Sequence, residues 1–172
     1  MISEDLDRVL DEDYLAGLSA LDTTELKARR TECQEVEAKV SYLRRLVQGR
    51  LDIVSAELRR RESGGPPGDL SDLVEQLPQI LADKVHAPGP GRMPTNLVPP
   101  DDEELTAELD AISGPTALGS LPDLDVEELR QIANRLRDLE QRISGQRRAV
   151  FDVIDTVQAE ITGRYGDSEA SG

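Results

Sequence analysis

The chain has 172 residues, with 35 Asp+Glu against 20 Lys+Arg, a formal net charge of −15, 2% aromatic residues and no Trp. So few large rings exclude a wide aromatic-rich core, while 37% hydrophobic residues are too many for a wholly disordered chain; thin, mostly helical architecture satisfies both. The acidity repels phosphate backbones, which disfavours direct nucleic-acid binding and favours a basic protein partner.

Taken in chain order, residues 1–20 form an acidic segment in which Leu6, Val9 and Leu10 give Ser3–Leu21 the pattern of a short helix. Met1–Tyr14 is acidic where a signal peptide would be basic and then apolar, and no apolar run reaches the roughly 18–20 residues of a membrane span. With Cys33 as the single cysteine, the expectation is a cytoplasmic, reducing setting. Residues 21–62 read as one long helix. Asp22-Thr23-Thr24-Glu25 is a capping box with Leu21 and Leu26 as its hydrophobic staple, and Ser63-Gly64-Gly65-Pro66-Pro67 is the stop. Residues 63–120 form a Pro/Gly-rich acidic connector with two amphipathic pieces, Asp69–Ala82 and Asp101–Ile112, around a flexible stretch 86–100. Residues 121–164 read as a second long helix, opened by the box Asp125-Val126-Glu127-Glu128 with Leu124 and Leu129 as staple; residues 165–172 read as a disordered tail.

Each long helix carries an apolar seam that needs a partner along its length. The first runs Leu26, Cys33, Val36, Val40, Leu43, Val47, Leu51, Val54, Leu58; the second runs Leu129, Leu136, Leu139, Ile143, Gln146, Val150, Ile154, Val157, Ile161. The spacing is heptad-like with a stutter at Val47–Leu51 and again at Val150–Ile154. Gln146 interrupts the seam and fits a register pin, and Cys33 reads as a small buried hydrophobe. The fold class is therefore all-α, a long intramolecular coiled-coil hairpin with short accessory helices.

A shift of 103 residues superposes the two helices without a gap, and over Leu21–Arg61 14 of 41 positions are identical. Shared heptads would explain matching apolar positions. They would not explain Glu37/Glu140, Ser41/Ser144, Arg44/Arg147, Arg45/Arg148, Asp52/Asp155 or Glu57/Glu160. With Val40 at a and Leu43 at d, Glu37 and Arg44 occupy e and Ser41 and Gln48 occupy b, and together with Asp52 they form a stripe about 100° round from the core. In an antiparallel pair e faces e, so the two stripes border one groove; in a parallel pair they part. Cooperating stripes therefore imply an antiparallel pair, although the 58-residue connector permits either direction. Arg offers a planar fork to phosphate or to the O6/N7 edge of guanine, and carboxylates accept from guanine N1–H and N2–H₂. The same residues also read as solvated faces or interhelical salt bridges, and both readings stand at this point. No nucleophile–base pair or phosphate loop is present, so catalysis is not expected; the lone His86 without clustered Cys argues against a metal.

Glu37-x3-Ser41-x2-Arg44-x3-Gln48-x3-Asp52, repeated as Glu140-x3-Ser144-x2-Arg147-x3-Phe151-x3-Asp155, resembles the cyclic di-GMP signature of the RsiG family of actinobacterial anti-sigma factors. The second copy departs at Phe151, where Gln is expected and where a ring could stack on a base instead. The resemblance covers the two long helices. It implies an antiparallel coiled coil whose two motifs, Glu37, Ser41, Arg44, Gln48, Asp52, Glu140, Ser144, Arg147, Phe151 and Asp155, jointly clamp a dimer of cyclic di-GMP. It also implies that the loaded form sequesters a WhiG-type sporulation sigma factor and releases it when the messenger falls. The acidic flanks would meet the basic DNA-reading surfaces of the sigma factor and speed association. The competing reading is a structural or adaptor coiled coil without a nucleotide.

Overall fold

A computed structural model describes residues 2–65 and 103–170. The amphipathic stretch Asp69–Ala82, the Pro-rich residues 86–100 and His86 lie outside the described residues. The described elements are helical throughout: α1 (Ile2–Leu10), α2 (Glu12–Leu15), a 3₁₀ turn (Leu18–Ala20), α3 (Thr23–Glu62), α4 (Glu103–Ser113), α5 (Pro115–Gly119), a second 3₁₀ turn (Leu121–Asp123) and α6 (Val126–Ala170).

Both long helices start where their capping boxes place them. Asp22 Oδ1 accepts from the Thr24 and Glu25 amides at 2.7 and 2.8 Å, and Glu25 Oε2 accepts from the Asp22 amide at 2.7 Å. At α6 the Asp125 and Glu128 side chains exchange the same bonds with each other's amides, both at 2.8 Å. Helix α3 ends as expected: Gly64, at φ 78°, takes the left-handed position after the last turn, and the Gly65 amide donates to Arg60 O at 3.0 Å. Helix α6 corrects the expected end at 164, since it runs through Gly163 and Gly166 to Ala170. A glycine inside a helix costs about 1 kcal/mol but leaves the hydrogen-bond ladder intact; only the Ser-Gly-Gly-Pro-Pro run of α3 supplies a true breaker. The N-terminal segment, expected as a single short helix, is three pieces: α1, α2 and the 3₁₀ turn. Asp11 caps α2, its Oδ1 accepting from the Asp13 amide, and Gly17 at φ 75° turns the chain into the 3₁₀ turn. The second connector piece is α4, with Leu109 fully buried.

The helices α3 and α6 pack as an antiparallel hairpin. Contacts divide the chain into two units. The first holds α1, α2, α3 up to Leu43 and α6 from Arg142 onward; the second holds α3 from Arg44, α4 from Thr106, α5 and α6 up to Gln141. In the first unit Arg30 meets Gln158 and Glu37 meets Arg147. In the second, Arg44 meets Glu140 and Glu62 meets Arg130. In each unit, numbers rise on α3 as they fall on α6.

The seam forms the core. Leu26, Cys33, Val36, Val40, Val47, Val54 and Leu58 are buried on α3, as are Leu129, Leu136, Leu139, Ile143, Val150, Ile154, Val157 and Ile161 on α6. Leu43, Leu51 and Gln146 are only half-buried. Leu51 sits at the stutter of α3, whereas its counterpart Ile154 at the α6 stutter is buried. Ala133 completes the α6 seam. Its counterpart Arg30 supplies a cross-helix polar contact in the first unit, donating through Nη1 to Gln158 Oε1 at 2.7 Å.

The duplication extends beyond the long helices. The 103-residue shift also carries α1 onto the end of α4, α2 onto α5, and one 3₁₀ turn onto the other. Each unit therefore has an accessory helix with a buried leucine, Leu6 or Leu109. Each accessory helix is tied to α3 by an ion pair: Asp5 to Lys39 Nζ at 3.0 Å, Asp110 to Arg50 Nη2 at 2.7 Å.

Candidate functional site

The matched polar residues pair across the two helices, and each unit contains one such cluster. In the first, Arg147 Nε on α6 donates to Glu37 Oε1 at 2.9 Å and to Ser41 Oγ at 2.7 Å on α3, and Ser41 Oγ donates to Glu37 Oε1 at 2.5 Å. The Arg147 guanidinium also lies over the Phe151 ring, 4.7 Å from its centroid. In the second, the roles exchange. Arg44 Nε on α3 donates to Glu140 Oε1 on α6 at 3.1 Å, and Gln48 Nε2 donates to the same oxygen at 3.0 Å. Glutamate from one motif copy thus meets arginine from the other in both units.

The heptad argument explains why. These residues occupy e and b positions, and antiparallel packing turns e toward e. Ser41 is buried, while Glu37, Arg44, Gln48, Glu140, Ser144, Arg147 and Phe151 are half-buried. Charged hydrogen bonds in such partial burial keep more of their strength than fully wet ones. The last motif position behaves differently: Asp52 is half-buried and Asp155 is exposed, and neither joins the glutamate–arginine contacts described above.

Three sets of contacts had no place in the motif reading. The first is a duplicated clasp. Arg61 donates from Nη1 to Leu124 O at 3.1 Å and from Nη2 to Leu121 O and Pro122 O at 3.2 and 2.7 Å. Arg164, its counterpart 103 residues on, donates to Leu21 O, Leu18 O and Ser19 O, the counterparts of those carbonyls. Each clasp is backed by a glutamate one turn earlier, Glu57 for Arg61 and Glu160 for Arg164. The identity of Glu57/Glu160 and Arg61/Arg164 in register was the sequence signal. The second set is the Arg30–Gln158 contact of the seam. The third surrounds Tyr14, which has no aromatic counterpart in the second repeat. Its hydroxyl donates to Glu32 Oε2 at 2.7 Å and accepts from Cys33 Sγ at 3.4 Å, while Arg29 stacks on its ring at 4.4 Å. Burial, reinforced by these partners, pushes the Tyr14 phenol well above its ordinary range, and burial also raises the Cys33 thiol. Tyr14 borders a cleft of about 410 Å³ with Arg8, Asp11, Asp13, Arg29 and Glu32.

Among the described residues no group of three His, Cys, Asp or Glu side chains could hold a metal ion, and no helix is long and apolar enough to cross a membrane. Fold and clusters together define a duplicated antiparallel helical hairpin that carries one glutamate–arginine cluster in each unit, built from both repeats. The RsiG-like family model matches residues 12–81 and 115–171, most of the chain, and the chain belongs to that family. Membership suggests an anti-sigma factor role. No curated protein matches the chain in sequence.

Proposed function

We propose that the protein is an anti-sigma factor that binds cyclic di-GMP through its two motif copies and, so loaded, sequesters a WhiG-type sigma factor. The observation that carries this reading is the reciprocal pairing of Glu37 with Arg147 and of Arg44 with Glu140. In each unit it sets a motif arginine of one helix against the motif glutamate of the other, and the fork-shaped edge of each guanidinium suits a guanine edge or a phosphate. The acidic N-terminal segment, with Glu4, Asp7, Asp11, Glu12 and Asp13 exposed, suits a basic sigma-factor surface and would accelerate encounter.

The same pairing also favours a second reading, because e–e ion pairs stabilise antiparallel coiled coils that bind nothing. Calorimetry separates the two. Titrating cyclic di-GMP into the chain, alone and with a WhiG-type sigma factor, gives saturable heat if the first reading is right. No heat in either experiment leaves an adaptor coiled coil.

A further inference from the structure

We propose that Glu37 and Glu140 are positioning residues, each presetting the arginine of the opposite helix, and that Phe151 braces Arg147 instead of stacking on a nucleobase. This inference rests on the cyclic di-GMP reading above. Three observations lead to it.

First, both glutamates take the same atom. Arg147 donates to Glu37 through Nε, and Arg44 donates to Glu140 through Nε. That nitrogen lies on the stem side of the planar guanidinium, so a bond there fixes the rotation of the plane. The fork-shaped edge beyond it is the one that matches a carboxylate, a phosphate or guanine O6/N7. Second, the accepting oxygen is committed in both copies. Glu37 Oε1 also accepts from the Ser41 hydroxyl, and Glu140 Oε1 also accepts from the Gln48 amide. Two bonds use the two lone pairs of an sp² oxygen. A carboxylate beside an anionic dinucleotide is moreover repelled by its phosphates, so the favourable role of its charge is to hold the cation. Third, the departure at Phe151 keeps a second brace while changing its chemistry. Gln48, four residues after Arg44, shares Glu140 with it. Phe151, four residues after Arg147, presents a ring face that the guanidinium covers at 4.7 Å. A base cannot stack on that face while Arg147 occupies it.

Two measurements on the full chain test the proposal. In the ligand-free protein, the Arg44 Nε–H resonance, bonded to Glu140 Oε1, is expected to lose its protection from exchange in Glu140→Ala and to keep most of it in Glu140→Gln, which retains an acceptor oxygen. A resonance indifferent to Glu140→Ala overturns the positioning role. In titrations with cyclic di-GMP, Glu37→Ala is expected to weaken binding by about tenfold or more. Phe151→Ala should weaken it by about three- to fivefold. Phe151→Gln, which installs the brace of the other copy, should recover most of the second loss. Equal weakening by Phe151→Ala and Phe151→Gln overturns the brace and assigns the ring to the ligand. Binding that is unaffected by either alanine variant overturns this inference alone. No binding by the unaltered chain overturns the nucleotide reading and this one with it.

Discussion

The duplicated clasp allows one experiment to be run twice in the same molecule, with burial as the variable. Arg61 and Arg164 make the same kind of contacts, three carbonyls of a 3₁₀ turn region and a glutamate one helical turn earlier. Their settings differ. Glu57 is 2% exposed and the Arg61 side chain 13%, whereas Glu160 is 34% exposed and Arg164 26%. Substitution by Met keeps the length of the stem and removes the charge and the donors. In Arg61→Met, three carbonyls lose a charged donor, and the buried Glu57 loses one of its arginine partners. Breaking a fully buried pair costs about 3–5 kcal/mol. Arg60, which also donates to Glu57, keeps the carboxylate from being orphaned, so about 3 kcal/mol is the reasoned cost. In Arg164→Met, water replaces most of what is lost, because the pair is a third exposed at its carboxylate, and the cost is about 1 kcal/mol. At about 2–4 °C per kcal/mol for a chain of this size, these become a fall in Tm of about 6–12 °C against about 2–4 °C. Thermal unfolding followed by circular dichroism at 222 nm reads both. Equal shifts, or a larger one for Arg164→Met, would refute the assignment of the difference to burial of the glutamate.

Three further outcomes are expected. Arg44→Ala and Arg147→Ala should each abolish cyclic di-GMP and sigma-factor binding in calorimetry, while helicity stays unchanged and stability falls by about 1 kcal/mol or less, because each pair is partly solvated. The Asp110 carboxyl is held below its usual pKa by its bond to Arg50, and Asp5 by its bond to Lys39. A folded-state pKa below the unfolded one means that this stabilisation is present above the unfolded value, about 3.9, and is lost as pH falls through the folded one. Carboxyl titration by NMR should place the Asp110 midpoint below the ordinary value and raise it in Arg50→Gln; an unshifted midpoint in the parent chain counts against the docking of α4. Finally, Cys33 is fully buried against Tyr14, so a thiol reagent should modify it only through opening of the fold. Tyr14→Ala should speed that labelling by at least tenfold, and an unchanged rate would show that Tyr14 does not cover the thiol.

Much of the candidate site was legible in the chain because its parts repeat. Glu37, Ser41, Arg44 and their counterparts stood out as polar identities that a heptad alone does not require, and the e-position argument correctly implied antiparallel helices. The contact of the Arg147 guanidinium with the Phe151 ring was not legible. Whether a ring at that position meets a base or an arginine depends on what lies above it, and the arginine comes from one turn earlier on the same helix. The clasps were visible only as two further identities, Glu57/Glu160 and Arg61/Arg164, since their acceptors are backbone carbonyls, which leave no mark in side-chain composition.

The sequence by itself determined where the long helices begin, because capping boxes and staples act within a few residues of the chain, and which face of each helix seeks a partner, because that face is written in its period. It also determined that the chain is double, through the 103-residue register. Only the tertiary structure decided that each glutamate answers the arginine of the other repeat, that the N-terminal segment breaks into three pieces around Gly17, and that α6 continues past Gly163. The glutamate–arginine pairs join residues about 100 positions apart, so their energies are settled only when the helices meet and no local stretch of sequence contains both partners. The other two outcomes turn on local competition, the Asp11 cap and Gly17 against one continuous helix and the lack of a breaker after Gly163.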